Sequence, residues 1–225
     1  MTKEDGLHSN EKHVTYAASK KYAELAVWEW AEAHPHVDVT TSKSITLFFL
    51  PPPPPLNLSY KFHWTVVLPP YIYGPFAQKS LPVPNPEYDA LSSNLMIYNL
   101  LFPTGVYLPR PAYADFRDVA RAHVGALNSK SDKNNRKRII VASPHGLTMK
   151  HVLDIIKKER PELEHRFITA PIPEFSYYSL DLDFESFEEI TGMRKEDFHT
   201  LEEVCCIWLF DYAWAWLFLF FFRPF

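Results

Sequence analysis

The chain has 225 residues and a net charge of −4, enough for one ordinary domain or one and a half, with no basic excess to suit nucleic acid. It is 47% hydrophobic and 22% charged, which excludes wholesale disorder. Its two cysteines, Cys205 and Cys206, are adjacent and by themselves make neither a disulfide framework nor a metal site, so a reducing, cytoplasmic setting is expected.

The first thirteen residues are polar and carry no secretory signal. Alanines and long side chains then predict a helix over Thr15 to His34, ended by Pro35. Val37 to Thr41 begins a buried strand. Residues 42–65 interrupt it with five consecutive prolines, which suit a polyproline II spacer and not a sheet. Val66-Val67-Leu68 resumes the apolar pattern, and joining Thr41 to Val66 restores one continuous strand leading into P-P-Y-I-Y-G-P. Residues 42–65 therefore read as an insertion, longer than a usual ordered loop. Translated intron sequence is preferred over a proline-rich ligand for a partner module.

Pro82 to Asp89 forms a proline-rich loop, followed by a helix over Leu91 to Leu101 and a short extended piece at Tyr107-Leu108. Asp118 to Leu127 reads as a helix with Asp115 or Asp118 at its N-terminus, where a carboxylate suits the orphan amides. The cluster Lys133, Arg136, Lys137, Arg138 is a solvated loop before a strand over Ile139 to Ala142. An amphipathic helix over Leu147 to Arg160 stops at Pro161, and a short helix over Phe184 to Thr191 closes at Gly192. Val204 to Phe222 is apolar with one charge, Asp211, near the length of a membrane span. It has no amphipathic stripe, so frame readthrough or a retained intron is preferred over membrane contact through 204–222. His34 and His36 flank a proline without a third ligand and read as surface residues, and no metal is expected.

The sharpest chemical signal is Tyr16-Ala17-Ala18-Ser19-Lys20. A spacing of four sets Tyr16 and Lys20 on one helix face. A phenol titrates near pH 10, and a neighbouring ammonium favours the phenolate. Tyrosine then exchanges a proton with a carbonyl oxygen or alkoxide near neutral pH. Taken alone, the spacing also fits an ordinary surface pair.

Three pieces in order add context: Y-A-A-S-K-K-Y-A-E on a helix, L-P-P-Y-I-Y-G-P after a strand, and Y-A-D-F-R-D-V-A-R-A-H-V-G-A-L. Together, over residues 10–41 and 66–203, they resemble the extended short-chain dehydrogenase/reductases of the NAD-dependent epimerase/dehydratase superfamily. More narrowly they look like dihydroflavonol-reductase-like and methylglyoxal-reductase-like carbonyl reductases. The resemblance implies an α/β fold, here the C-terminal half of a Rossmann-like doubly wound parallel sheet plus a small substrate-binding region. It implies that Tyr16 is the catalytic tyrosine and that Lys20 binds the nicotinamide ribose of NADP or NAD and lowers the tyrosine pKa. It sets the backbone of Pro69, Pro70 and Tyr71 at the nicotinamide and Tyr73, Gly74 and Pro75 near the pocket of a small carbonyl substrate. Asp115, Arg117 and Asp118 match the motif before a long helix, where capping and ion pairing are the favoured roles.

The chain departs from that pattern. None of Gly6, Gly74, Gly105, Gly125, Gly146 and Gly192 forms the glycine-rich phosphate turn. Only fifteen residues precede Tyr16, whereas a strand-helix-strand unit takes about 30. The reading is therefore an N-terminally truncated reductase, itself inactive for lack of the cofactor-binding half. The alternatives are a nucleotide-sugar epimerase or dehydratase relative, or a non-catalytic remnant that binds a partner or membrane.

Overall fold

A computed structural model describes residues 2–34, 39–42, 64–74, 92–107, 112–129, 137–174 and 182–205. The chain divides into two compact units, one formed by Met1–Leu68 with Ser129–Ile139 and the other by Pro69–Asn128 with Ile140–Phe225.

In the first unit, helix α1 (Lys3–His8) is followed by the long helix α2 (Lys12–Ala33). The α2 helix starts three residues before the expected Thr15. Its opening is tied down where the Ser9 hydroxyl accepts the Glu11 amide at 3.0 Å and the Glu11 carbonyl accepts the Val14 and Thr15 amides. It ends where expected, because His34 precedes a proline and is steered out of the helical region. The His34 ring stacks on Trp30 at 4.2 Å, with Nδ1 2.7 Å from the Trp30 carbonyl. Ala18 and Trp28 of α2 are buried. Glu24 accepts from Arg138 at 2.9 Å, tying the helix to the strand Lys137–Ile140.

The strands correct one expectation. Val39–Ser42 (β1) and Trp64–Leu68 (β2) are not halves of one strand but parallel neighbours, in register from Val39 opposite Trp64 to Ser42 opposite Val67. The sheet order is β1-β2-β5, with β5 at Lys137–Ile140. Both segments are rich in β-branched residues, so splicing them on pattern alone gave a plausible strand. A parallel pair instead requires a crossover of a dozen or more residues, and the sequence between them is long enough to supply one. Ser42, Trp64 and Thr65, assigned from the sequence to the insertion, stand in the ladder. Thr65, Val66 and Val67 are buried. The five prolines lie outside the described residues.

The second unit is built on a second parallel pair, β3 (Tyr71–Tyr73) and β4 (Tyr113–Asp115). Strand β4 passes straight into α4 (Phe116–Leu127), with Asp115 at the N-cap. The expected helix over Leu91 to Leu101 is shorter, a 3-10 turn at 92–94 and then α3 (Leu95–Asn99). Helix α5 (Met149–Glu159) is capped by the Thr148 hydroxyl, and Pro161 opens a 3-10 turn at Pro161–Arg166. Helix α6 (Phe184–Thr191) is capped by Asp183 and closes at Gly192 in the left-handed region, as expected. Tyr73, Leu100, Tyr113, Val152, Ile156 and Val204 are central to the core of this unit.

Residues 201–205 are helical, and Val204 and Cys205 are 1% and 0% exposed. The boundary expected before Val204 thus falls inside a packed turn, and residues beyond Cys205 lie outside the described part. Among the described residues, no helix is long and apolar enough to cross a membrane.

Helices α4 and α6 touch through Gly125, where a Cβ would stand 2.0 Å from the Thr191 carbonyl oxygen. Helix propensity alone makes Gly125→Ala stabilising by about 1 kcal/mol. The contact reverses that sign, and urea unfolding is expected to give a loss of about 1–3 kcal/mol.

Candidate functional site

Tyr16 and Lys20 lie one turn apart in α2. The Lys20 ammonium stands 5.3 Å from the centroid of the Tyr16 ring, an arrangement stabilised by about 0.5–1 kcal/mol at an exposed site. Tyr16 is 53% exposed, and the helix around it is locally reinforced by the Ser19 hydroxyl donating to the Tyr16 carbonyl at 2.7 Å. Ala17 and Ser19 are exposed while Ala18 is buried, so the small residues between the pair keep the helix close to its support on one side and open on the other. The pair belongs to the first unit.

The turn after β2 belongs to the second unit. Pro69 and Pro70 lack amide donors and end the β2 ladder. They are half-buried, as is Tyr71, which opens β3 opposite Tyr113. Tyr73 is 2% exposed; its hydroxyl donates to the Met96 sulfur at 3.1 Å, and its ring meets Tyr113 edge-on. Its side chain is therefore held in the core. Gly74 has φ +147°, and the Phe116 ring lies so close that a Cβ would stand 2.2 Å from a ring carbon. Pro75 lies outside the described residues.

Sequence reading missed Asn94. A polar residue before an apolar run reads as a helix cap, but Asn94 makes no side-chain cap bond. Its side chain reaches back to donate to the Gly74 carbonyl at 3.1 Å, and the residue is only 7% exposed.

The acidic motif resolves into two separate tasks. Asp115, 1% exposed, caps α4 by accepting the Arg117 amide at 2.8 Å and also binds the Arg117 guanidinium through Nε and Nη2, each at 2.8 Å. That bond raises the Arg117 pKa above its ordinary value. Asp118 is fully buried and accepts from His199 twice, the backbone amide at 2.9 Å and ring Nδ1 at 2.6 Å. Burial pushes the Tyr113 phenol up to about 12, so this tyrosine is not suited to proton exchange near neutral pH. Capping and ion pairing therefore account for the motif without a direct catalytic role.

No family model matches the chain. An uncharacterized oxidoreductase of Schizosaccharomyces pombe is 29% identical over 210 residues, covering 90% of this chain and 50% of that protein. The NADPH-dependent methylglyoxal reductase GRE2 of Saccharomyces cerevisiae is 28% identical over 154 residues, covering 66% of this chain and 36% of its own length. The crystal structure of Gre2 from Candida albicans in complex with NADPH matches with a TM-score of 0.63 at 20% identity, over 96% of this chain and 55% of that one. The chain thus spans half or less of the length of the curated relatives it matches. Solved structures of reductases are thus among its structural neighbours, and it shares their Rossmann-like α/β fold.

The two kinds of residue differ in what their loss does to stability. Tyr16→Phe and Lys20→Met, at a largely exposed pair, are expected to change unfolding free energy by no more than about 0.5 kcal/mol. Asp118→Ala, which strips two charge-assisted bonds from His199, is expected to cost about 2–3 kcal/mol. Chemical denaturation of the three variants checks this, and a large loss in Tyr16→Phe would mark that tyrosine as structural.

Proposed function

We propose that this chain carries the proton-donating and nicotinamide-facing part of an NADP(H)-dependent reductase acting on a small aldehyde or ketone. The observation that carries the reading is the Tyr16–Lys20 pair, accessible on one face of α2 with the ammonium over the ring. The NADPH named for the Gre2 relatives supports the choice of cofactor. A reducing, cytoplasmic setting is part of the proposal, in keeping with the two adjacent cysteines of the sequence.

The residues present fit one end of that cofactor. Among the described residues no carboxylate pairs with Lys20, so its three donors are available for ribose hydroxyls. The nicotinamide, when bound, supplies a hydride to the carbonyl carbon. Tyr16 gives its hydroxyl proton to the carbonyl oxygen, and the Lys20 cation stabilises the phenolate left behind. The backbone of Pro69, Pro70 and Tyr71 would hold the nicotinamide, and Gly74, with Pro75 after it in sequence, would border the substrate. Tyr73 contributes through its backbone, since its side chain is buried. The other end of the cofactor has no counterpart in the six glycines of this chain, which form no phosphate turn.

The 225-residue chain is accordingly expected to show no micromolar affinity for NADPH by calorimetry. Adding a polypeptide that supplies a glycine-turn half is expected to restore binding and carbonyl reduction. In that complex Tyr16→Phe lowers kcat by about 10²–10⁴-fold, the size of a lost general acid, with NADPH affinity nearly unchanged. Full activity of the Tyr16→Phe complex would remove Tyr16 from the mechanism, and micromolar NADPH binding by the chain alone would reveal a phosphate site of another design.

A further inference from the structure

Helix α4 is apolar on two faces. On one, Val119, Ala122 and Ala126 are buried. On the other, Phe116, Val124 and Leu127 are 40%, 62% and 69% exposed, and Ala120 between them is exposed as well. At 3.6 residues per turn these four fall within an arc of about 80° and run for about 16 Å along the helix. Their spacing, i, i+4, i+8 and i+11, is that of a face that packs, and a helix apolar all round is ordinarily a covered one. Arg117 and Arg121, 30% and 48% exposed, border the stripe on one side.

We propose that the apolar C-terminal segment of this chain, residues 206–225, folds back on α4 and covers the stripe of Phe116, Ala120, Val124 and Leu127. The segment starts close by. His199 binds Asp118, and the Asp197 carbonyl accepts from Arg121 at 2.9 Å, so 197–199 is fastened to α4 twice. The helical turn at 201–205 follows and ends at the buried Cys205. Burial raises the Tyr113 phenol most, and Cys205 adds to the rise, which sets this thiol near a residue three before Phe116. Twenty residues remain in sequence, with Asp211 and Arg223 as their charges. Even as a helix they reach about 30 Å, enough to run the length of the stripe. Asp211 is opposite in charge to the Arg117 and Arg121 border. A tethered segment also acts at an effective concentration of order 1 mM, which favours it over a second copy. Four side chains fall well short of the roughly 800 Å² per partner of a stable dimer. A bilayer is the poorer host, because Asp211 would stand in hydrocarbon.

The test uses the full chain with ¹³C-labelled methyl groups, at concentrations where light scattering shows a monomer. The Val124 and Leu127 methyl signals are expected to be shifted by ring currents and to show nuclear Overhauser contacts to tryptophan ring protons. Those contacts are expected to vanish when Trp208, Trp214 and Trp216 are all replaced by leucine. Chymotrypsin cleavage within 206–225, followed by mass spectrometry, is expected to be about tenfold faster or more in Val124→Glu and in Leu127→Glu, because cleavage follows the open population. Vesicles of phosphatidylcholine and phosphatidylglycerol are expected to sediment none of the chain. The proposal is overturned if the methyl groups of the monomer meet no tryptophan of the segment. It is also overturned if the contacts vanish on dilution, which marks a second copy, or if the vesicles take up the chain and abolish them. Cleavage of both glutamate variants at the unaltered rate overturns it too. The methyl spectrum of the unaltered chain decides the matter even if a variant does not fold. No readout uses NADPH or turnover, so the outcome is separate from that of the reductase reading.

Discussion

A carboxylate with no solvent contact must find all its partners inside the protein, and Asp118 meets that condition through His199. Its oxygens accept a backbone amide and a ring nitrogen from one residue, so α4 is fixed to the segment that leads into the helical turn at 201–205. The constraint reaches further along the chain. With α4 held, Asp115 can cap it directly from β4 and Phe116 is delivered against Gly74. The register of β4 on β3 then fixes Tyr71 and Tyr73, the one half-buried beside the turn and the other in the core. The local geometry of the turn therefore depends on a carboxylate three residues beyond the strand that pairs with it.

Much of this was legible from residue type because the deciding physics is local. Alanine and long side chains make α2, a proline stops it, a glycine in the left-handed region ends α6, and an aspartate caps α4. The spacing of Tyr16 and Lys20 needs nothing beyond the helical repeat. What was not legible depends on pairing at a distance. Val39–Ser42 and Trp64–Leu68 carry the same β-branched signature whether they are one strand or two, and only the ladder between them decides. Val204 and Cys205 look like the head of an apolar tail, yet they are the buried side of a turn whose polar side is Glu202 and Glu203. Asn94 was hidden for a related reason. Its position before an apolar run invites a capping role, while its actual partner is twenty residues earlier in sequence.

The candidate site residues divide by how they are held. Tyr16 and Lys20 stand on a helix whose own hydrogen bonds fix their backbone, and their side chains owe little to packing. Such a pair retains the freedom to meet a ligand, because it is not committed to the interior. The turn at 69–74 is the opposite case. Two prolines fix its entry, a buried tyrosine anchors its middle, and a glycine at positive φ is pressed by an aromatic ring at its end. A segment held this way presents backbone in a single shape, which is what recognition by backbone requires.

Glycine and proline are used in this turn for different purposes. Prolines 69 and 70 withdraw amide donors, so whatever lies along them meets carbonyls and ring faces. Gly74 adds close approach, since a side chain there would displace the Phe116 ring. Neither property serves a pyrophosphate, which is bound by amides pointing outward from a glycine turn at a helix N-terminus. Both suit a flat, neutral ring and a small carbonyl compound. On the proposed reading, the turn at 69–74 would therefore serve the reactive end of a dinucleotide and not its phosphates.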